Sequence, residues 1–241
     1  MVTPPAAPTE SNNLDFGRAF RFVFDDPAWI KKMLIGGVMA FLGIFIVGTL
    51  WVLGYWTRLI RRVAAGEERP LPEWEDLGGL LREGWGAAGV YGIYIAGLVL
   101  PFFVLVFGLI LVGGGLAQVT SGAEEASEAF GALTGIGLLG FYALFLIGMT
   151  VLMVYLPAAL TRHALTGRLA TGFEFRENLA FIRRNLLNYA LALVLYMLAN
   201  FIAQFGVLAC CIGVFPVSFW ALCVFGWALG ETARRDAVSV R

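Results

Sequence analysis

The chain has 241 residues, 59% hydrophobic and only 14% charged, with 30 glycines and a mean hydropathy of +0.80. These values lie outside the soluble globular range and fit a polytopic membrane protein. Seventeen basic and seventeen acidic residues cancel, so no net field draws nucleic acid, and the basic residues inform by position instead.

Residues 1–11, MVTPPAAPTES, are Pro-rich and polar, lack the basic, apolar and small-residue series of a signal peptide, and read as a disordered tail. A single membrane domain is expected over 12–232. It opens with NNLDFGRAFRFVFDD (12–26), where Phe16, Phe20 and Phe24 recur every four residues. That spacing predicts an amphipathic helix capped by Asn12 or Asn13 and stopped before Pro27.

Next comes the uncharged run 33–57, flanked by Lys31 and Lys32 on one side and Arg58, Arg61 and Arg62 on the other. It is either one span or a membrane hairpin bending between Gly43 and Gly48. In PEWEDLGGLLREGW, Trp74, Leu77, Leu81 and Trp85 share a helical face, and Glu73, Glu75 and Asp76 suit a helix N-terminus. A second interfacial helix is thus expected over 72–83. FEFRENLAFIRRNLL repeats the pattern with Phe175, Leu179, Ile182 and Leu186, predicting a third over 173–184.

Runs 84–118, 130–161, 186–209 and 212–230 are each long enough to cross a hydrocarbon core, which takes about 20 helical residues. Pro101 and Pro157 should kink the first two. Residues 233–241 read as a tail. The fold class expected is therefore all-α polytopic: four transmembrane helices, one N-terminal membrane hairpin or alternatively a single span, and three interfacial helices. PAWIKKMLIGG (27–37) also aligns with LAFIRRNLLNY (179–189) as an aromatic, Ile, two basic residues and an apolar run. The alignment suggests repeated units, although any interfacial helix ending in an aromatic and a basic pair would give it too.

Charge position supplies a topology. Every Lys and Arg lies within 18–82, 162–184 or 234–241, whereas TSGAEEASEA (120–129) carries Glu124, Glu125 and Glu128 and no base. By the positive-inside rule that loop is external and both termini are cytoplasmic, if 33–57 is a hairpin. A single span would place Lys31, Lys32, Arg18 and Arg21 outside. Against the hairpin, two legs of about 12 residues reach only ~18 Å each, so they must extend to about residues 28 and 62 or remain re-entrant.

Chemistry-bearing residues are sparse. Residues 84–123, 130–161 and 186–230 contain no Asp, Glu, Lys, Arg or His, which weighs against proton-coupled transport and intramembrane proteolysis. His163 is the only histidine and reads as an interfacial structural residue. Cys210, Cys211 and Cys223 read as buried packing thiols. No catalytic, cofactor-binding or metal residue is expected. Asn200 and Gln204 suit interhelical hydrogen bonds, and the small residues Gly84, Ala88, Gly92, Ala96, Gly131 and Gly135 suit close helix packing. Lys31, Lys32, Arg61, Arg62, Arg183 and Arg184 are the expected anionic-lipid contacts.

DPAWIKKMLIGG, LGYWTRLIRRVAAGEERPLPEWEDLGGLLREG, ENLAFIRRN and CCIGVFPVSFWAL, within about 14–232, resemble a prokaryotic membrane-protein family, domain of unknown function 4013. The resemblance implies a multi-span helical protein and brings no site residues with it. Two functions fit the residues. One is a non-enzymatic accessory, scaffold or assembly subunit of the bacterial inner membrane, partnered by lipids and by another membrane protein or a second copy. The other is a transporter, channel or lipid-handling protein. An enzymatic use of Glu73, Glu75 and Asp76 is explained more simply by helix-start acidity.

Overall fold

A computed structural model describes residues 14–119, 124–208 and 213–239. All regular structure among them is helical: α1 (Phe16–Arg21), α2 (Trp29–Leu42), α3 (Val47–Ala64), α4 (Leu77–Val119), α5 (Glu124–Thr166), α6 (Phe175–Arg184), α7 (Leu186–Gln204) and α8 (Val214–Ser239). Four of these are long and apolar enough to cross a membrane, over Leu77–Val112, Thr134–Thr166, Leu186–Val207 and Val214–Val238. The expected tail 1–11, Asn12 and Asn13, and Cys210 and Cys211 of the CCIG turn lie outside the described residues. The described residues form two compact units, one drawn from 1–88 and 158–241 and the other from 89–157.

In the first unit, α1 is shorter than the phenylalanine spacing predicts. Asp15 caps it by accepting from Arg18 N–H at 3.1 Å, and the chain leaves helix after Arg21, so the four-residue period lapses. Ala19, Phe22 and Val23 turn inward while Phe24 is exposed. Phe22 stacks on Trp227 of α8 at 5.9 Å.

The run 33–57 is not one continuous helix. α2 ends at Leu42, Gly43–Phe45 form a single 3₁₀ turn, and α3 begins at Val47 after Ile46, whose φ of 70° lies where a β-branched residue is strained. Gly36 and Gly37 of α2 abut Phe219 and Pro216, and Phe22 before it meets Trp227, so α2 runs antiparallel to α8. Tyr55 of α3 meets Phe219 at 5.1 Å, and Val63 lies against Gly230, so α3 runs parallel to α8. The two legs are therefore antiparallel to each other. With 14 and 18 residues they rise about 21 and 27 Å, reaching out to Trp29 and Ala64 because the flanking sequence stays helical.

The second predicted interfacial helix is not separate. Asp76 Oδ1 accepts from Gly79 N–H at 2.9 Å, starting α4, which then runs unbroken from Leu77 to Val119. No proline or loop residue separates 83 from 84, and the glycine there has a packing use. Gly54 of α3 and Gly84 of α4 meet where the helices cross. A Cβ on Gly54 would strike the Leu80 carbonyl, and one on Gly84 the Leu50 carbonyl. Only Gly permits that approach. Leu80 is buried in the first turns, Leu77 and Trp85 of the predicted apolar face are exposed, and Trp74 is buried in the preceding turn.

α6 forms over Phe175–Arg184 within the predicted 173–184; Asn178, Phe181 and Ile182 face inward, and Phe175, Leu179 and Leu186 of the predicted apolar face are exposed. The aligned segments 27–37 and 179–189 also differ in setting. Ile30 is exposed where Ile182 is buried, and Lys32 is buried where Arg184 is exposed. α8 extends through the expected tail to Ser239, held by paired arginines described below. Its core side contributes Phe219, Val224 and Leu229; Tyr55 stacks on Trp74 at 4.6 Å and meets Phe219 edge-on at 5.1 Å.

The second unit comprises the remaining parts of α4 and α5, which pack antiparallel. Tyr94 faces Tyr155 with hydroxyls 3.3 Å apart, Leu98 meets Gly148, and Phe102 meets Phe145 with ring centroids 4.0 Å apart. Both helices continue through Pro101 and Pro157. Glu124, Glu125 and Glu128, expected in a loop, fall within the first turns of α5.

Candidate functional site

The charged residues of the first unit gather into paired groups around the helix ends. In the first, Lys32 lies one turn into α2 and is only 3% exposed. Its ammonium meets Asp26 Oδ2 at 2.7 Å, Glu73 Oε1 at 2.6 Å and the Leu71 carbonyl at 3.2 Å. Three acceptors match its three donors, the condition for burying an ammonium. Trp74 Nε1 donates to the Lys32 carbonyl at 3.0 Å, fixing the 71–74 turn on α2. Asp26, Lys32, Leu71 and Glu73, with Arg62 and Arg69, border a cavity of about 330 Å³.

The second group joins α3 to the start of α4. Arg58 bonds Glu83 Oε1 through Nε at 3.1 Å and Nη2 at 2.9 Å, and reaches Asp76 Oδ2 at 3.0 Å. Arg61 completes Glu83 at Oε2, 3.1 Å away, and donates to the Ala164 carbonyl at 3.1 Å. The Gly79 N–H first, and the Arg58 guanidinium second, hold the Asp76 carboxyl below the usual carboxylate range. Beside this group opens a cleft of about 520 Å³ lined by Thr57, Arg61, Arg82, Glu83, Trp85 and His163 among others. His163 Nδ1 lies 3.1 Å from the Arg168 carbonyl.

The third set ties the later helices together. Arg162 bridges Glu174 at 2.8 Å and Asn178 Oδ1 at 3.1 Å. Arg184 makes a two-pronged bond to Asp236, 3.2 Å on each arm. Glu231 receives Arg234 at 2.7 Å and Arg235 at 2.9 Å.

Several predicted site residues have other duties. Lys32 is buried and saturated, and Arg62 bonds the Leu71 carbonyl at 2.9 Å and Glu67 at 3.1 Å. Lys31 and Arg183 are exposed. Asn200 donates to Tyr196 O of its own helix at 2.9 Å, rather than across helices, and Gln204 is exposed. Of the small residues, Gly84 packs on α3, whereas a Cβ on Gly92, Gly131 or Gly135 would meet nothing within 4 Å. Ala88 and Ala96 are half-buried. Thr57 and Arg82 were not singled out by sequence, and no local signal marks them: Thr57 sits in the apolar run and Arg82 in an ordinary charged turn.

Residues 35–212 match the family described as "Protein of unknown function (DUF4013)". The chain belongs to that family. No curated protein and no solved structure matches it.

Proposed function

We propose that this DUF4013 chain is a non-enzymatic integral protein of the cell inner (cytoplasmic) membrane, an accessory, scaffold or assembly subunit that packs against other membrane components. One observation carries the reading. The 89–157 helix pair exposes Phe103, Val104, Phe107, Leu139, Leu144 and Ile147, and a Cβ on Gly92, Gly97, Gly108, Gly137 or Gly140 would touch nothing among the described residues. Small residues amid large apolar ones are what lets a second helix approach closely in lipid, where apolar burial alone gives no drive.

The segregation of basic residues supports both termini on the cytoplasmic side, with α2 and α3 entering and leaving on that face. The ion-paired groups and α6 then lie at the cytoplasmic interface, where membrane lipids are the first partners. Extraction in a mild detergent followed by cross-linking should give a discrete complex, with a second copy or another membrane protein, contacting residues 89–157. A monomer that cross-links to nothing through Gly92→Cys or Gly140→Cys would refute the packing role. Lipid handling is the second reading, favoured by the open cleft beside His163.

A further inference from the structure

Thr57 and His163 stand 106 positions apart in sequence yet line one cleft. Both are more than nine-tenths buried, at 3% and 5% exposure. Helical threonines ordinarily bond back to their own helix, and here Thr150, Thr166 and Thr232 do so, to Leu146 O, Arg162 O and Ala228 O. Thr57 lines the cleft and makes no such bond among the described residues, so its hydroxyl is uncommitted.

His163 is half committed. A carbonyl only accepts, so Nδ1 donates to Arg168 O and the neutral ring keeps its lone pair on Nε2. Nε2 is turned toward Gly86, where a Cβ would lie 2.7 Å away. Gly86 and His163 both line the cleft, and only a glycine leaves the ring nitrogen room at that point.

Charge at the rim is unbalanced. Glu83 also lines the cleft, but its two oxygens are taken by Arg58 and Arg61. Arg82 lines the cleft, is exposed, and makes no ion pair among the described residues. The cleft thus offers a guanidinium and a hydroxyl that can donate, and one buried nitrogen that can accept. Its lip is apolar, formed by Trp85, 62% exposed, and Leu169, also exposed. From residue 84 to 119, α4 then carries no Asp, Glu, Lys, Arg or His, so the cleft opens where charge gives way to an apolar run.

We infer that this cleft binds a phosphate group with a neighbouring hydroxyl, presented as the headgroup of a phosphatidylglycerol-type lipid. Arg82 and Thr57 donate to the phosphate oxygens, and the headgroup hydroxyl donates to His163 Nε2. Trp85 and Leu169 meet the glycerol backbone and the first methylenes. The lipid source, though not the phosphate chemistry, rests on the membrane reading above, and the partner cross-linking can fail without touching this site.

The test titrates the purified full-length chain in neutral detergent with dihexanoyl phosphatidylglycerol, the matching phosphatidylcholine and glycerol 1-phosphate, following tryptophan fluorescence. Saturable binding of phosphatidylglycerol is expected, about tenfold or more tighter than phosphatidylcholine. Thr57→Val and Arg82→Gln should each weaken it roughly tenfold, the usual scale for one charge-assisted bond, at an unchanged unfolding midpoint. Thr57→Ser should restore it. Equal binding of the two lipids, or variants that bind phosphatidylglycerol like the parent, would overturn the site. Glycerol 1-phosphate binding as tightly as the lipid would overturn the lipid as its source.

Discussion

In α8, 61% of the most apolar 18-residue window is buried, and in α7 28%, whereas the corresponding windows of α4 and α5 bury none. The first unit surrounds α8 with α2, α3 and α7 and closes the helix ends with matched charges. The 89–157 pair has a seam of tyrosines, Phe102 and Gly148, and otherwise displays apolar side chains. Lipid is as apolar as leucine, so exposing those side chains in a bilayer costs little and burying them gains little. The same chain thus holds one unit by geometric fit and ion pairing and leaves another dependent on its surroundings.

The sharpest way to break that comparison is through Lys32. Replacing it by Met leaves the buried Asp26 carboxylate, 2.7 Å from the former ammonium, without its countercharge, and leaves the Leu71 carbonyl with the Arg62 bond alone. Removing one member of a buried pair typically costs about 3–5 kcal/mol. Lys32→Met should therefore unfold the first unit at markedly lower temperature in detergent. Lys31→Met, one residue away and exposed, should change stability by less than about 0.5 kcal/mol. Equal effects from both would show that the Lys32 group does not hold the unit.

The next comparison sets two glycines against each other. Gly54→Ala drives a methyl into the Leu80 carbonyl at the α3–α4 crossing, a contact between backbones with no flexible side chain to move. Overpacking of this kind costs about 1–3 kcal/mol. Gly140→Ala on the second unit adds a methyl to open space and gains helix propensity, so it should be neutral or slightly stabilising, within about 1 kcal/mol. Thermal unfolding of the two variants in one detergent measures the contrast. A destabilised Gly140→Ala would mean that a neighbour covers that surface.

The apolar runs of the four long helices were legible because crossing length leaves a signature that needs no tertiary context. The 33–57 bend was legible from charge on both flanks and from Gly43, although not the strained turn at Ile46. Which face of a helix points inward was not. Polarity separates a water-facing side from a core side, but where both sides are apolar the pattern is silent. The buried Leu80 and Phe181 lie beside the apolar faces read from Leu81 and Leu179, and nothing in the sequence marks them as the residues that pack inward. The Gly54–Gly84 crossing was half visible in the small-residue pattern, since only its partner helix shows which glycines are used. The cleft was invisible because Thr57 and His163 meet only once α3 and α5 are placed.

The smallest contrast is in pH response, and its sign follows from Asp76. Its folded carboxyl is held below the ordinary value, about 3.9, by the Gly79 N–H and Arg58. Stability from this group is therefore fully present above that ordinary value and is lost as pH falls through the lower folded one. Asp76→Asn keeps an oxygen for the cap but removes the charge, so the variant should unfold earlier than the parent at pH 6 and converge with it in strong acid. All seven tryptophans lie outside 89–157, so native fluorescence reports this on the first unit alone. Residues 89–123 and 129–157 contain no Asp, Glu, Lys, Arg or His, and a Leu139→Trp reporter there should respond far less over the same range. If the two reporters move together with pH, the units unfold as one and the division between a fitted, ion-paired region and a lipid-dependent one does not extend to stability.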